Sequence, residues 1–316
     1  MQVRGPLQLL GGRFRFESNS PKLLQLVDHA FGGLPPQRLS TAVPQMRVRL
    51  LLTSSKSSRS RAEPPALQMM SGAGFLGGAT APSSLVMVAP AERTALVTVS
   101  QDMQRFPYHT RYELIEFAVY TLAARVQSLA PLHGACVGSN GRGLLLLGPS
   151  GSGKSTVALQ CLLQGLDFVA EDAVFVHPES MLATGIASFM HVRADSLRWV
   201  ERARDVAAIR KSPVIRRRSG VKKFEVDLRG AHYRLARAPL KLAAVVFLSP
   251  QKAVGEALLS PLSKSELLRR LAATQAYAAN QPGWAAFRRK VAQLAAFELR
   301  RGRHPLEAAA ALRQIL

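Results

Sequence analysis

Leu144-Leu145-Leu146-Leu147-Gly148-Pro149-Ser150-Gly151-Ser152-Gly153-Lys154-Ser155 is the stretch on which the reading of this chain turns. Four consecutive apolar residues ahead of a glycine suit a short strand buried on both faces. Gly148 to Ser155 then fits G-x-x-x-x-G-K-[ST] at every position, the phosphate-binding P-loop or Walker A pattern. The glycines let several backbone N–H groups turn inward towards phosphate oxygens. Lys154 adds a point charge for the β- and γ-phosphates, and the Ser155 hydroxyl suits Mg²⁺. A helix expected from Lys154 to about Gln164, with Thr156 in its first turn and Gly165 as its C-cap, aims its N-terminus at the same phosphates. Gly148, Pro149, Ser150, Gly151, Ser152, Gly153, Lys154, Ser155 and Thr156 are therefore the candidate nucleotide-binding residues, with ATP and Mg²⁺ as the expected ligands.

Acidic groups follow at short range. Leu166 to Ala170 reads as a strand and ends in Glu171-Asp172, and Ala173-Val174-Phe175-Val176 reads as another. Only 18 residues, one helix and one strand, separate Lys154 from Asp172. Carboxylates at a strand end near a P-loop hold Mg²⁺ or orient the attacking group. Ser155, Glu171 and Asp172 are the candidate metal ligands. On the other side, Ala135-Cys136-Val137 reads as a strand, Asn140-Gly141 as a tight hairpin turn, and His133 precedes both. A histidine there can orient a carboxylate or assist proton transfer.

Three motifs in order, Leu132-His133-Gly134-Ala135-Cys136-Val137, Gly148 to Ser155 and Val169-Ala170-Glu171-Asp172, resemble the catalytic domain of HPr kinase/phosphorylase, and more closely the HPr-kinase-related proteins of bacteria. The resemblance covers about residues 131–178 and extends loosely to about 250 through Pro239 to Leu248, which reads as a late core strand. It implies an α/β fold: a P-loop kinase core of the HPr kinase/phosphoenolpyruvate carboxykinase type. It also implies a serine/threonine kinase in which His133 is the active-site histidine. Of Glu171 and Asp172, one would be the catalytic base and the other would belong to the metal and histidine network; the resemblance does not say which. Lys222 to Arg229 stands where the parent enzymes carry a signature associated with phosphorolysis and does not match it. The resemblance therefore implies neither phosphorylase activity nor HPr as acceptor.

The remainder of the 316 residues sets the frame. Hydrophobic residues make up 47%, a globular composition. Lys plus Arg number 42 against 20 Asp plus Glu, a net +22, which implies acidic partners. Cys136 and Cys161 are too few for a disulfide framework or a Cys-rich zinc site and read as core thiols. The Pro and Gly residues of Met1 to Gly12 do not suit a signal peptide, and no run of about 18 apolar residues suggests a membrane span. A cytoplasmic location is expected.

Three regions are expected: an N-terminal α+β domain (1–108), the P-loop core (109–255) and a helical C-terminal segment (256–316). In the first, Arg13 to Phe16, Arg47 to Leu52, Leu85 to Val88 and Ala95 to Val99 read as strands. Pro21 to Ala30 reads as a helix capped by Ser20, and Ser54 to Ser60 as a mobile loop. Residues 111–130 read as a helix ended by Pro131, with Leu114, Phe117, Ala118, Thr121, Leu122, Val126 and Leu129 on one stripe. In the C-terminal segment Ser263 or Ser265 caps the first helix, and Pro282-Gly283 and Pro305 divide the rest. Between Arg202 and Lys223 stand nine basic residues and one acidic, including Arg216-Arg217-Arg218. They read either as a clamp for phosphate or an acidic peptide or as a solvated basic loop.

The expected activity is transfer of the γ-phosphate of ATP to a hydroxyl, of a protein, a peptide or a small molecule. A nucleotide-binding regulator without turnover and a nucleic-acid-associated NTPase are the alternatives. No nucleic-acid-binding signature accompanies the basic stretch, and the oligomeric state is left open.

Overall fold

The computed structural model describes residues 1–54, 64, 67–72, 75–80, 84–230, 232–253 and 257–316. Most of the expected loop from Ser54 to Ser60 lies outside them. The chain divides into two compact units, Met1–Gln127 and Ser128–Leu316.

The first unit is a seven-stranded mixed sheet with helices on one face. Its strands are β1 (Gln2–Leu9), β2 (Gly12–Ser18), β3 (Gln45–Thr53), β4 (Leu67–Gly72), β5 (Phe75–Thr80), β6 (Ser84–Ala89) and β7 (Thr94–Ser100). They stand in the order β1-β2-β3-β7-β6-β5-β4. Alternation of apolar and polar residues decides which face is buried: Phe14, Phe16, Met46, Val48, Leu50, Val97 and Val99 are all buried. Helix α1 (Pro21–Phe31) covers them, with Phe31 stacked on Phe16 at 6.0 Å between ring centroids. Ser20 precedes Pro21 as expected, but its side chain makes no capping bond; its backbone carbonyl accepts from Leu23 instead.

The helix expected over 111–130 is displaced. It begins at α2 (Pro107–His109), continues through a π-helical stretch (Thr110–Glu116) and ends with α3 (Phe117–Val126). Ser128 takes a left-handed φ of 51° that breaks the helix ahead of Pro131. Pro131 itself lies in a strand, at the sheet edge where a missing N–H is tolerated. Because α3 packs on β3, β6 and β7, this helix belongs to the first unit, and the division falls after Gln127 rather than at 108.

The second unit is a layered α/β structure. Its sheet contains β8 (Ala130–His133), β9 (Ala135–Ser139), β10 (Arg142–Leu147), β11 (Asp167–Ala170), β12 (Ala173–Val176) and β13 (Leu182–Gly185). Strands β14 (Phe189–Val192), β15 (Val214–Arg216) and β16 (Lys222–Asp227) form a separate three-stranded sheet. The long β17 (Leu240–Lys252), with β18 (Leu259–Pro261) and β19 (Ala295–Arg301), completes the main sheet. β10, β17 and β19 run parallel and adjacent. Asn140 and Gly141 both take positive φ (51° and 78°), the type I′ turn that matches strand twist in a two-residue hairpin.

The apolar run of β10 is explained by its surroundings. Leu144 and Leu146 enter one core with Val157 and Leu159 of α4 (Lys154–Leu163) and Leu312 of α9 (Pro305–Gln314). Leu145 and Leu147 enter the opposite core, with Leu267 and Leu271 of α6 (Lys264–Thr274) and Ala278 of α7 (Ala276–Ala279). Phe287 and Val291 of α8 (Trp284–Val291) complete that core. All four leucines have zero exposure. One further helix, α5 (Ala203–Lys211), places Ile209 in the first core.

The expectation of a helical segment over 256–316 needs correcting. Ala295–Arg301 is rich in helix formers yet forms β19, because the edge of β17 offers a parallel ladder. Ser263, not Ser265, caps α6 by accepting from Glu266 N. Among the described residues no helix is long and apolar enough to cross a membrane.

Cys136 and Cys161 are buried, and burial pushes each thiol up to about 12. Thiolate is then scarce at neutral pH. Native protein should leave Ellman's reagent unreacted, and both thiols should react after guanidinium unfolding. Fast native-state labelling would contradict this packing.

Candidate functional site

The loop from Gly148 to Gly153 leaves β10 at its C-terminal end, beside the ends of the parallel neighbours β17 and β19. Crevices at the carboxyl ends of parallel strands are where α/β proteins bind ligands. Gly148 has φ 144°, and a Cβ there would lie 2.7 Å from the carbonyl oxygen of Leu248, so the loop could not pass β17 with a side chain. Gly153 has φ 99° and caps α4, and a Cβ there would meet open space.

Lys154 is folded back over this loop. Its Nζ donates to the carbonyls of Gly148 (2.7 Å) and Pro149 (3.1 Å). Burial lowers its pKa from the ordinary lysine value, and the nearby Asp172 carboxylate opposes that shift. Ser155 follows in the first turn of α4. The Thr156 hydroxyl is turned to Ser196 Oγ, 3.5 Å away. Ser152 Oγ is buried and has no hydrogen-bond partner among the described residues. Arg301, at the end of β19, donates to the carbonyl of Gly151 at 3.0 Å.

The acidic pair splits in two directions. Glu171 is buried, and its Oε2 accepts from the backbone N–H of His191 on β14 at 2.8 Å. Asp172 is 40% exposed and lies 3.1 Å from Nδ1 of His133. Both groups facing that Nδ1, the carboxylate and the Asp172 carbonyl, are acceptors. Nδ1 therefore carries a proton and donates it to them. Arg217 reaches the other Asp172 oxygen at 3.7 Å.

Arg217 also donates to Nδ1 of His191 at 3.2 Å. A guanidinium cannot accept, so His191 carries its proton on Nε2 and donates it to Glu225 Oε1 at 3.2 Å. Within the basic cluster the three arginines are thus distinct: Arg217 is turned inward, while Arg216 and Arg218 are exposed.

Sequence reading brought together Lys154, Asp172 and His133 but missed what holds them. Gln275, between α6 and α7, is buried and bonds His133 in both directions. It accepts from the His133 N–H at 2.8 Å and donates to the His133 carbonyl at 3.1 Å. A lone glutamine 142 residues away carries no sequence signal, and Arg301 lay in a stretch that reads as helix.

Over 140 residues the chain is 31% identical to the HPr kinase/phosphorylase of Chlorobium phaeobacteroides (strain BS1). This chain has a distant similarity to HPr kinase/phosphorylase. The matched stretch is 42% of this chain and 39% of that enzyme, so the chain spans well under half of its relative. Among solved structures, the Hpr(Ser) kinase/phosphatase of Coxiella burnetii aligns with 58% of this chain and 94% of its own, at 11% identity and a TM-score of 0.30. No family model matches.

Gln275→Leu should strand the His133 N–H and carbonyl. The expected loss is about 1–3 kcal/mol, read as an earlier urea midpoint with unchanged slope. An unchanged midpoint would show that the clamp contributes nothing.

Proposed function

We propose that this chain is an ATP- and Mg²⁺-dependent kinase with a P-loop core of the HPr kinase/phosphoenolpyruvate carboxykinase type. It transfers the γ-phosphate to a hydroxyl, that of a serine or threonine in a protein or peptide. The observation that carries this reading is the position of one carboxylate. Asp172 touches His133, lies within reach of Arg217 and acts electrostatically on the P-loop Lys154. The partial sequence match to an HPr kinase/phosphorylase supports it.

The residues present fit a nucleoside triphosphate. The open space at Gly151 and Gly153 leaves room for phosphate against the backbone, and the buried Ser152 hydroxyl has no hydrogen-bond partner among the described residues. Ser155 and Glu171 would hold Mg²⁺, which takes one or two carboxylates together with water and phosphate oxygens. Bound Mg²⁺ supplies neutralisation of the phosphate charge.

The chain's own groups have separable tasks. Lys154 and the loop N–H groups bind the β- and γ-phosphates. Asp172 accepts the proton of the acceptor hydroxyl as its oxygen forms the new bond to phosphorus and the bond to the ADP oxygen breaks. His133 and Arg217 orient that carboxylate. Glu171, whose Oε2 is already bonded to the His191 N–H, is the weaker candidate for the base. This kinase reading suits a cytoplasmic protein and includes neither phosphorolysis nor HPr as the acceptor.

Asp172→Asn should cut transfer from γ-labelled ATP by roughly 10²–10⁴ while ATP affinity stays within about threefold. Glu171→Gln should cost less in transfer. Near-normal transfer by Asp172→Asn would remove Asp172 as the base.

A further inference from the structure

The sheet of the Met1–Gln127 unit has a second face, opposite the one that α1 covers. On β2 and β3 it carries Arg13, Arg15, Glu17, Arg47 and Arg49, alternating with the buried Phe14, Phe16, Met46, Val48 and Leu50. The parallel register sets Arg15 beside Arg47 and Glu17 beside Arg49. With strands about 4.8 Å apart and alternate residues about 6.6 Å apart, these side chains form a grid.

Three of the arginines converge on one carboxylate. Glu17 lies 3.5 Å from Arg15, 3.6 Å from Arg47 and 3.2 Å from Arg49. Glu17 is 13% exposed, whereas the three arginine side chains remain 57%, 52% and 51% exposed. One carboxylate cannot satisfy three five-donor forks, so most of their hydrogen-bonding capacity faces outward. Like charges directly opposite on neighbouring strands weaken a sheet, and a merely solvated face would do better without the Arg15–Arg47 pair.

We propose that this face docks an acidic segment of a partner protein, whose Asp and Glu carboxylates enter the arginine grid. Charge complementarity selects an anion, and the planar guanidinium fork matches carboxylates in particular. The same face continues through Leu96, beside Arg49, to the exposed Met87, apolar surface of the kind found within protein contacts. Among its described residues on β1, β2, β3, β6 and β7 none is aromatic, which disfavours single-stranded nucleic acid, bound on stacking platforms. The proposal does not depend on nucleotide turnover.

The test uses the full chain and fluorescence anisotropy at low ionic strength. One probe is a labelled peptide of alternating Glu and Ser, the other a labelled oligo-dT of equal length. Arg15→Gln/Arg47→Gln/Arg49→Gln should weaken peptide binding about tenfold or more. A control with the same charge loss on other exposed sites, Arg204→Gln/Arg288→Gln/Arg289→Gln, should change it less than about twofold. Should the triple variant not fold, Arg47→Gln alone should still weaken the peptide more than the control does. Equal losses in the two triple variants would reduce the face to bulk charge and overturn the proposal. So would failure of the wild type to bind the peptide, or a loss confined to oligo-dT.

Discussion

Leu144, Leu145, Leu146 and Leu147 all leave water, and successive residues do so on opposite sides of one strand. At about 25 cal/mol per Å² of apolar surface, burying side chains on both faces of β10 is a strong local driving force. It requires helices above and below: α4 and α9 on one side, α6, α7 and α8 on the other. It also requires a strand on each edge to satisfy the backbone, which antiparallel β9 and parallel β17 supply. Once β10 is fixed in this way, the chain has to leave it at the carboxyl end, and the glycines of Gly148–Gly153 make the turn possible.

The candidate site is assembled from parts that are distant in sequence. β8 pairs with β12 so that His133 stands opposite Ala173, which brings the histidine to Asp172. Gln275 fixes the backbone of His133 from the helical layer. The turn after β15 brings Arg217 to the same carboxylate. Two histidines thus belong to one polar chain that runs His133, Asp172, Arg217, His191, Glu225. His133 is exposed and faces Asp172, while His191 is buried between Arg217 and Glu225.

Local signals were legible in the sequence wherever the physics was local. The Asn140-Gly141 hairpin, the glycine-rich turn of Gly148–Gly153 with the helix after it, and the alternating strands Arg13 to Phe16 and Arg47 to Leu52 all read directly. Non-local constraints were not legible. Ala295–Arg301 has helical composition and becomes a strand because β17 offers it an edge. Pro131 reads as a helix stop and instead lies in an edge strand. The helix before it joins the first unit because its apolar stripe matches that sheet. At the site, Gln275, His191 and Glu225 carry no spacing of their own, and the different surroundings of Glu171 and Asp172 depend on where β14 runs.

The central claim is that the P-loop lysine and the Asp172 group form one phosphoryl-transfer site. The most direct measurement is incubation of purified protein with γ-labelled ATP and Mg²⁺, with and without lysate of its source organism, wild type beside Lys154→Ala. The account predicts a labelled product that requires Lys154. Tight ATP binding with no labelled product, or labelling that survives Lys154→Ala, would contradict it.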